Sequence, residues 1–236
     1  MRPSSCRTLG ALLFFGAAVV TAQTPAPSAD AVLKQLQAGN ANHVAKKYQR
    51  PHQSADRQKE LASGQSPNAI ILSCADSRVP PELVFDQGLG DLFVVRVAGN
   101  VPGNDEIGSI EYAAEHLHTP LIVVMGHTKC GAVQAAVDGG DPHGHLGPLL
   151  AMIQPAVARA KRQPGDPVEN AIRNNVENVV QQLRASSPVL APLVTRGSLK
   201  VVGGVYALDT GKVTWLTDTK STARVETCPL PTNGGH

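Results

Sequence analysis

Residues 70–78 read Ile-Ile-Leu-Ser-Cys-Ala-Asp-Ser-Arg, so an apolar run delivers a thiol at Cys74, a carboxylate at Asp76 and a guanidinium at Arg78. The pattern recurs downstream, where Leu121-Ile-Val-Val-Met-Gly leads into His127-Thr-Lys-Cys130-Gly. Short runs rich in Ile and Val are the signature of strands buried on both faces of a parallel sheet. Open α/β sheets bind ligands beyond the carboxyl ends of their strands. Cys74, His127 and Cys130 are therefore expected to meet in one crevice. Two thiolates and an imidazole suit Zn²⁺, and three protein ligands leave a fourth position for chemistry.

The elements that must position these residues follow from the pattern. Ser28 caps a helix over Ala29 to about Tyr48, which Gly39-Asn40 threatens to interrupt. A short helix is expected around Asp56–Ala62, a strand at Ala69–Ser73, and a helical turn opened by Pro80-Pro81. A second strand, Asp91–Val97, precedes a helix over Asp105–His118 that Asn104 is expected to cap, with His116 and His118 at its end. The third strand is Leu121–Gly126, followed by helices at Ala132–Asp138, about Leu146–Arg162 and Val168–Ala185. Ser198–Leu208 and Val213–Leu216 read as a hairpin. Strands alternating with helices give an α/β class: a mainly parallel β-sheet flanked by helices, with an N-terminal helical arm and a C-terminal hairpin.

The first 22 residues have a different character. Arg2 and Arg7 precede the apolar run Leu9–Val20, and small residues follow at Thr21-Ala22. That is the pattern of a cleaved secretory signal, too short to span a bilayer comfortably. Residues 23–28 read as a linker, 29–226 as a single domain and 227–236 as a flexible tail. Losing the signal removes two arginines and no acid, so Lys plus Arg falls from 21 to 19 and equals the 19 Asp plus Glu. The apparent basicity belongs to the export signal, and nothing points to nucleic acid or stable membrane insertion. The expected location is the periplasm or outside the cell. Cys6 leaves with the signal, and Cys228 in the tail is an odd thiol, free or paired between subunits.

Cys74-Ala-Asp76-Ser-Arg78-Val-Pro together with His127-x-x-Cys130-Gly resembles the β-class carbonic anhydrases, over roughly Gln65 to Val137. The resemblance implies Zn²⁺ on Cys74, His127 and Cys130, and an Asp76–Arg78 dyad. It also implies reversible hydration of CO₂ to bicarbonate by zinc-bound hydroxide. Asp76 would bind zinc as a fourth ligand only in a closed, resting form. By the same match Gln65, Phe93, Ala98 and Tyr112 line the substrate pocket, completed across the interface of a homodimer or dimer of dimers. Ala98 stands where the family's pocket has a valine. Some bacterial relatives favour the closed form through a bicarbonate site built on a tryptophan, an arginine and a tyrosine. Ile71 occupies the tryptophan position, and Arg96 matches an arginine common to both forms. An open site is therefore expected.

Four other readings compete. Cys74 and Cys130 could pair as a disulfide, Asp76 could close a purely structural zinc site, the same scaffold could hydrolyse CS₂ or COS, or the protein could bind zinc or bicarbonate without catalysis. His143-Gly-His145 is expected in an exposed loop, and Trp215 in hairpin packing.

Overall fold

The computed structural model describes residues 27–185 and 187–216. The expected signal, most of the linker, residues 217–226 and the tail with Cys228 lie outside the described residues.

Helix α1 (Ala29–Ala45) starts where Ser28 Oγ accepts from the Ala31 N–H at 3.2 Å. It ends three residues earlier than expected, because Lys46 turns left-handed. Gly39-Asn40 does not interrupt it. A Cβ at Gly39 would lie 1.8 Å from the Phe85 carbonyl oxygen, so glycine marks a close helix contact rather than a break. The buried Asn40 amide donates to the carbonyls of Val84 and Gly211 and accepts from the Val213 N–H, tying α1 to the far end of the chain.

Among the described residues, five strands form one sheet in the order β2-β1-β3-β4-β5. These are β1 (Ala69–Ser73), β2 (Leu92–Arg96), β3 (Leu121–His127), β4 (Lys200–Tyr206) and β5 (Val213–Leu216). All pairings are parallel except the β4–β5 hairpin. β1 and β3 sit centrally and are buried at every position, which is why their sequences are continuously apolar rather than alternating. Ile71, Val123 and Met125 pack on one face with Val32 and Leu36 of α1, and with the helices that follow β3. Those are α5 (Gly131–Asp138) and α6 (Leu146–Ala160). Ile70, Leu72, Ile122 and Val124 pack on the other face, against α4 (Asn104–Glu115) and α8 (Leu190–Thr195). The long helix α7 (Pro167–Ala185) contributes to both clusters. Phe85, just past the turn α3 (Pro81–Val84), stacks on Trp215 of the hairpin at 6.0 Å. Helix α2 (Ala55–Leu61) buries no residue.

Two local readings are corrected. Gly103, not Asn104, is the N-cap of α4, and its N–H is met by the Glu106 carboxylate reaching back at 2.9 Å. The acid at the third helical position thus reaches back to the N-cap N–H, the reciprocal half of a capping box, while no side chain among the described residues caps the first-turn N–H groups. Helix α8 was not foreseen. Its brevity and internal Pro192 hide it, while Ser187 Oγ accepts the Leu190 N–H at its start.

Candidate metal centre

Hydrogen bonding between β1 and β3 places Ser73 opposite Met125, so the next residues of both strands emerge side by side. Cys74 follows the end of β1, and His127 is the last residue of β3 rather than the first of the turn. Cys130 is the N-cap of α5, a position where a helix's free N–H groups favour an anionic sulfur. Thr128 fastens the intervening turn. Its N–H donates to the Tyr206 carbonyl at 2.9 Å, and its hydroxyl accepts from the Leu208 N–H at 3.1 Å. The ligand-type atoms of Cys74, His127 and Cys130 lie within 4.8 Å of one another, and all three residues are buried. Both cysteines are free thiols, which removes the disulfide reading.

The ring of His127 is set for a metal by its own backbone. Nδ1 lies 2.9 Å from the Thr128 carbonyl, which can only accept, so Nδ1 carries the hydrogen. Nε2 is buried and has no hydrogen-bond partner among the described residues. An orphaned imidazole nitrogen between two thiols is an expensive arrangement unless something binds there. Its donor set of one nitrogen and two sulfurs fits zinc. The Cys74 thiol is pulled down to about 4, chiefly by the neighbouring Cys130 thiol and against the effect of burial. Cys130 moves the opposite way, pushed up by Cys74 and by burial. The two directions describe one proton shared by two sulfurs, so a cation entering the site displaces it.

Asp76 and Arg78 stand beside this set. The carboxylate accepts the Arg78 main-chain N–H and Nε at 2.9 Å each on Oδ1, and Nη2 at 2.6 Å on Oδ2. The Arg78 guanidinium, outweighing partial burial, holds the Asp76 carboxyl far below the usual carboxylate range. The acid is therefore ionised and aimed at neutral pH.

Arg96, which the sequence left undecided, has a definite place. Its Nε donates to the Cys74 carbonyl at 3.0 Å and its Nη2 to the Asp76 carbonyl at 2.6 Å. One planar guanidinium thus fixes the backbone on both sides of Ala75. Its position at the end of β2, in register with Ser73, was the available signal. Ile71 is fully buried in the sheet.

Phe93 lies half-buried on the edge strand β2, and its ring is 6.4 Å from that of Tyr112 on α4. Tyr112 is 48% exposed, too open for a closed pocket within one chain. Ala98 is half-buried in the turn Ala98–Asn100 after β2. Gln65 is exposed and makes no side-chain hydrogen bond among the described residues. His143 and His145 are exposed, and among the described residues only Cys74, His127 and Cys130 form a metal-type cluster.

Residues 69–213 match the sequence profile of the carbonic anhydrase family. The chain is 44% identical to carbonic anhydrase 2 of Mycobacterium tuberculosis over 186 residues, covering 77% of this chain and 90% of that one. It is 40% identical to a carbonic anhydrase of Mycolicibacterium smegmatis over 187 residues, 78% of this chain and 91% of the other. A tetrameric β-carbonic anhydrase of Sordaria macrospora superposes with a TM-score of 0.63 at 26% identity, over 79% of this chain and 97% of its own. The Coccomyxa β-carbonic anhydrase in complex with acetazolamide gives 0.61 at 27% identity, over 78% and 81%.

Proposed function

The chain belongs to the β-class carbonic anhydrase family, and we propose that it is a zinc enzyme interconverting CO₂ and bicarbonate with Asp76 and Arg78 as its working pair. Cys74, His127 and Cys130 would hold the metal. When bound, zinc supplies a nucleophile at neutral pH by lowering the pKa of a coordinated water to about 7. The observation that carries the proposal is the placement of an ionised, Arg78-gripped carboxylate 3.8 Å from the orphaned Nε2 of His127.

The chemistry left to the chain is orientation. Asp76, held ionised, accepts a hydrogen bond from the attacking water or hydroxide and turns a lone pair toward the CO₂ carbon. Because its carboxyl is held so far below neutral, it is a poor proton store. Its part is to aim the nucleophile, and the proton released in each cycle leaves by another route. Arg78 keeps the carboxylate off the metal, which favours an open site. Arg96 keeps Cys74 and Asp76 in register.

Gln65, Phe93, Ala98 and Tyr112 form a mostly apolar wall for CO₂, with the Gln65 amide as its hydrogen-bond donor. The exposure of Gln65 and Tyr112 in a single chain supports completion of that wall by a second copy, so the working unit is a homodimer or larger. The N-terminal segment supports export to the periplasm, with cleavage near Ala22. N-terminal sequencing of the protein from a fractionated cell tests this.

The deciding experiment is stopped-flow hydration of CO₂, with COS in parallel, on one preparation of measured zinc content. Rapid turnover of CO₂ and negligible turnover of COS is expected. Preference for COS would reassign the reaction. Neither activity in a fully zinc-loaded dimer would overturn the enzyme reading.

A further inference from the structure

The sulfur of Cys74 has a second partner that no ligand motif contains. The Gly99 N–H donates to Cys74 Sγ at 3.3 Å from inside the turn Ala98–Asn100. Such a bond draws charge from a thiolate and so sets how much it gives to a metal. It comes from a turn in which Gly99 is left-handed, φ +69°. A glycine has many other choices, so something must hold it.

Two contacts hold it. The next peptide, Gly99–Asn100, is gripped at both ends: the Asn100 N–H donates to the Val97 carbonyl at 2.9 Å, and the Gly99 carbonyl accepts Asn175 Nδ2 at 2.7 Å. Asn175 lies on α7, 2% exposed, at a position in the buried stripe of Ala171, Ile172, Val176 and Val179. An amide in an apolar stripe needs a partner, and this one spends its donor on the turn that faces Cys74. α7 can come this close because β3 has Gly126, where a Cβ would lie 2.6 Å from Val176. From the α6 side Ile153 closes over Gly99, within 2.8 Å of where a Cβ would be.

We propose that Asn175 is a positioning residue of the metal centre: it locks the Gly99 turn so that its N–H tempers the charge of the Cys74 sulfur. The inference rests on metal binding by Cys74, His127 and Cys130, and the two can be tested apart.

Cobalt(II) in place of zinc gives thiolate-to-metal charge-transfer absorption that reports sulfur charge directly. Absence of that band in the wild type would overturn the metal reading itself. With the band present and full metal loading, Asn175→Leu is expected to move it to lower energy, because an unbonded thiolate gives up an electron more easily. Turnover of CO₂ should fall about tenfold. Asn174→Leu is the control. Asn174 donates to Ala156 and Gln163, away from the metal, so its loss should cost stability and leave the band unmoved. Asn175→Ser, too short to reach Gly99, serves if the leucine variant does not fold. Either Asn175 variant with the wild-type band overturns the proposal. In wild-type protein loaded with cadmium-113, the Gly99 amide proton should couple to the metal through sulfur, and absence of that coupling overturns it without any variant.

Discussion

Oδ2 of Asp76 lies 3.8 Å from Nε2 of His127 while the same oxygen accepts a 2.6 Å hydrogen bond from Arg78. The carboxylate thus stands at the edge of the metal-type cluster under restraint from outside it. Capture by Arg78 and approach to the cluster are met in one geometry, without a side-chain swing.

Replacing Asp76 with asparagine keeps the volume and removes the charge. Zinc content should stay at wild-type level, and CO₂ turnover should fall by about 10²-fold or more, the scale of losing the orientation of a reacting group. Metal analysis beside stopped-flow rates checks both halves. Normal turnover with zinc in place would remove Asp76 from the mechanism.

The Asp76 carboxyl is depressed in the fold, so its stabilising pairing is complete above the unfolded value of about 3.9 and is lost only as pH falls below it. Between about pH 6 and 9, bracketing a zinc-water pKa near 7, activity should therefore rise on a single limb with no contribution from Asp76. A second ionisation in that window, abolished in Asp76→Asn, would contradict this.

Arg96→Met removes both carbonyl clamps while leaving every proposed ligand in place. Zinc affinity, measured by chelator competition, should drop about 10- to 100-fold, as for other residues that orient ligands. Arg96→Lys should recover only part of this, since an ammonium cannot reproduce the fork that spans two carbonyls.

His43 is buried, with Nε2 3.0 Å from the Tyr206 hydroxyl and Nδ1 2.9 Å from that of Tyr48. Burial and then Lys46 depress its pKa, against the Leu83 carbonyl and Asp86. The neutral ring is favoured in the fold, so its stability is fully present above the unfolded value near 6.5 and is lost as pH falls through the lower folded value. In zinc-loaded protein the urea midpoint should decline from pH 7.5 to 5.5, and His43→Gln should flatten that decline. An unchanged slope in the variant would exclude His43 as its source.

Gly39→Ala places a methyl 1.8 Å from the Phe85 carbonyl oxygen, so α1 must shift. The expected cost is about 1–3 kcal/mol. Urea unfolding measures it, with zinc per folded molecule unchanged because α1 holds no ligand.

Which parts of this were legible in the sequence depends on where each signal lives. β1 and β3 announce themselves because strands buried on both faces have no polar positions, and the residues that end them carry their chemistry in their side chains. Gly39-Asn40 suggests an interruption of α1 that does not occur, because local propensity does not reveal the Phe85 carbonyl pressed against that glycine. The expected Asn104 cap is displaced for a similar reason: the helix starts one residue earlier, at an N-cap glycine whose N–H the Glu106 carboxylate accepts. Arg96 and Asn175 act on carbonyl groups, which every residue has, so no motif records their targets. For Asn175 the only trace was an amide standing in an apolar stripe.

The bolt through Thr128 sets an order of events during synthesis. The turn between His127 and Cys130 is pinned by Tyr206 and Leu208, near the end of the described chain. Until those residues leave the ribosome, Cys130 of a nascent chain lies on an unsecured turn. A chain in which β4 has not yet docked therefore carries Cys74, His127 and Cys130 without the fastening that fixes the second and third of them relative to each other.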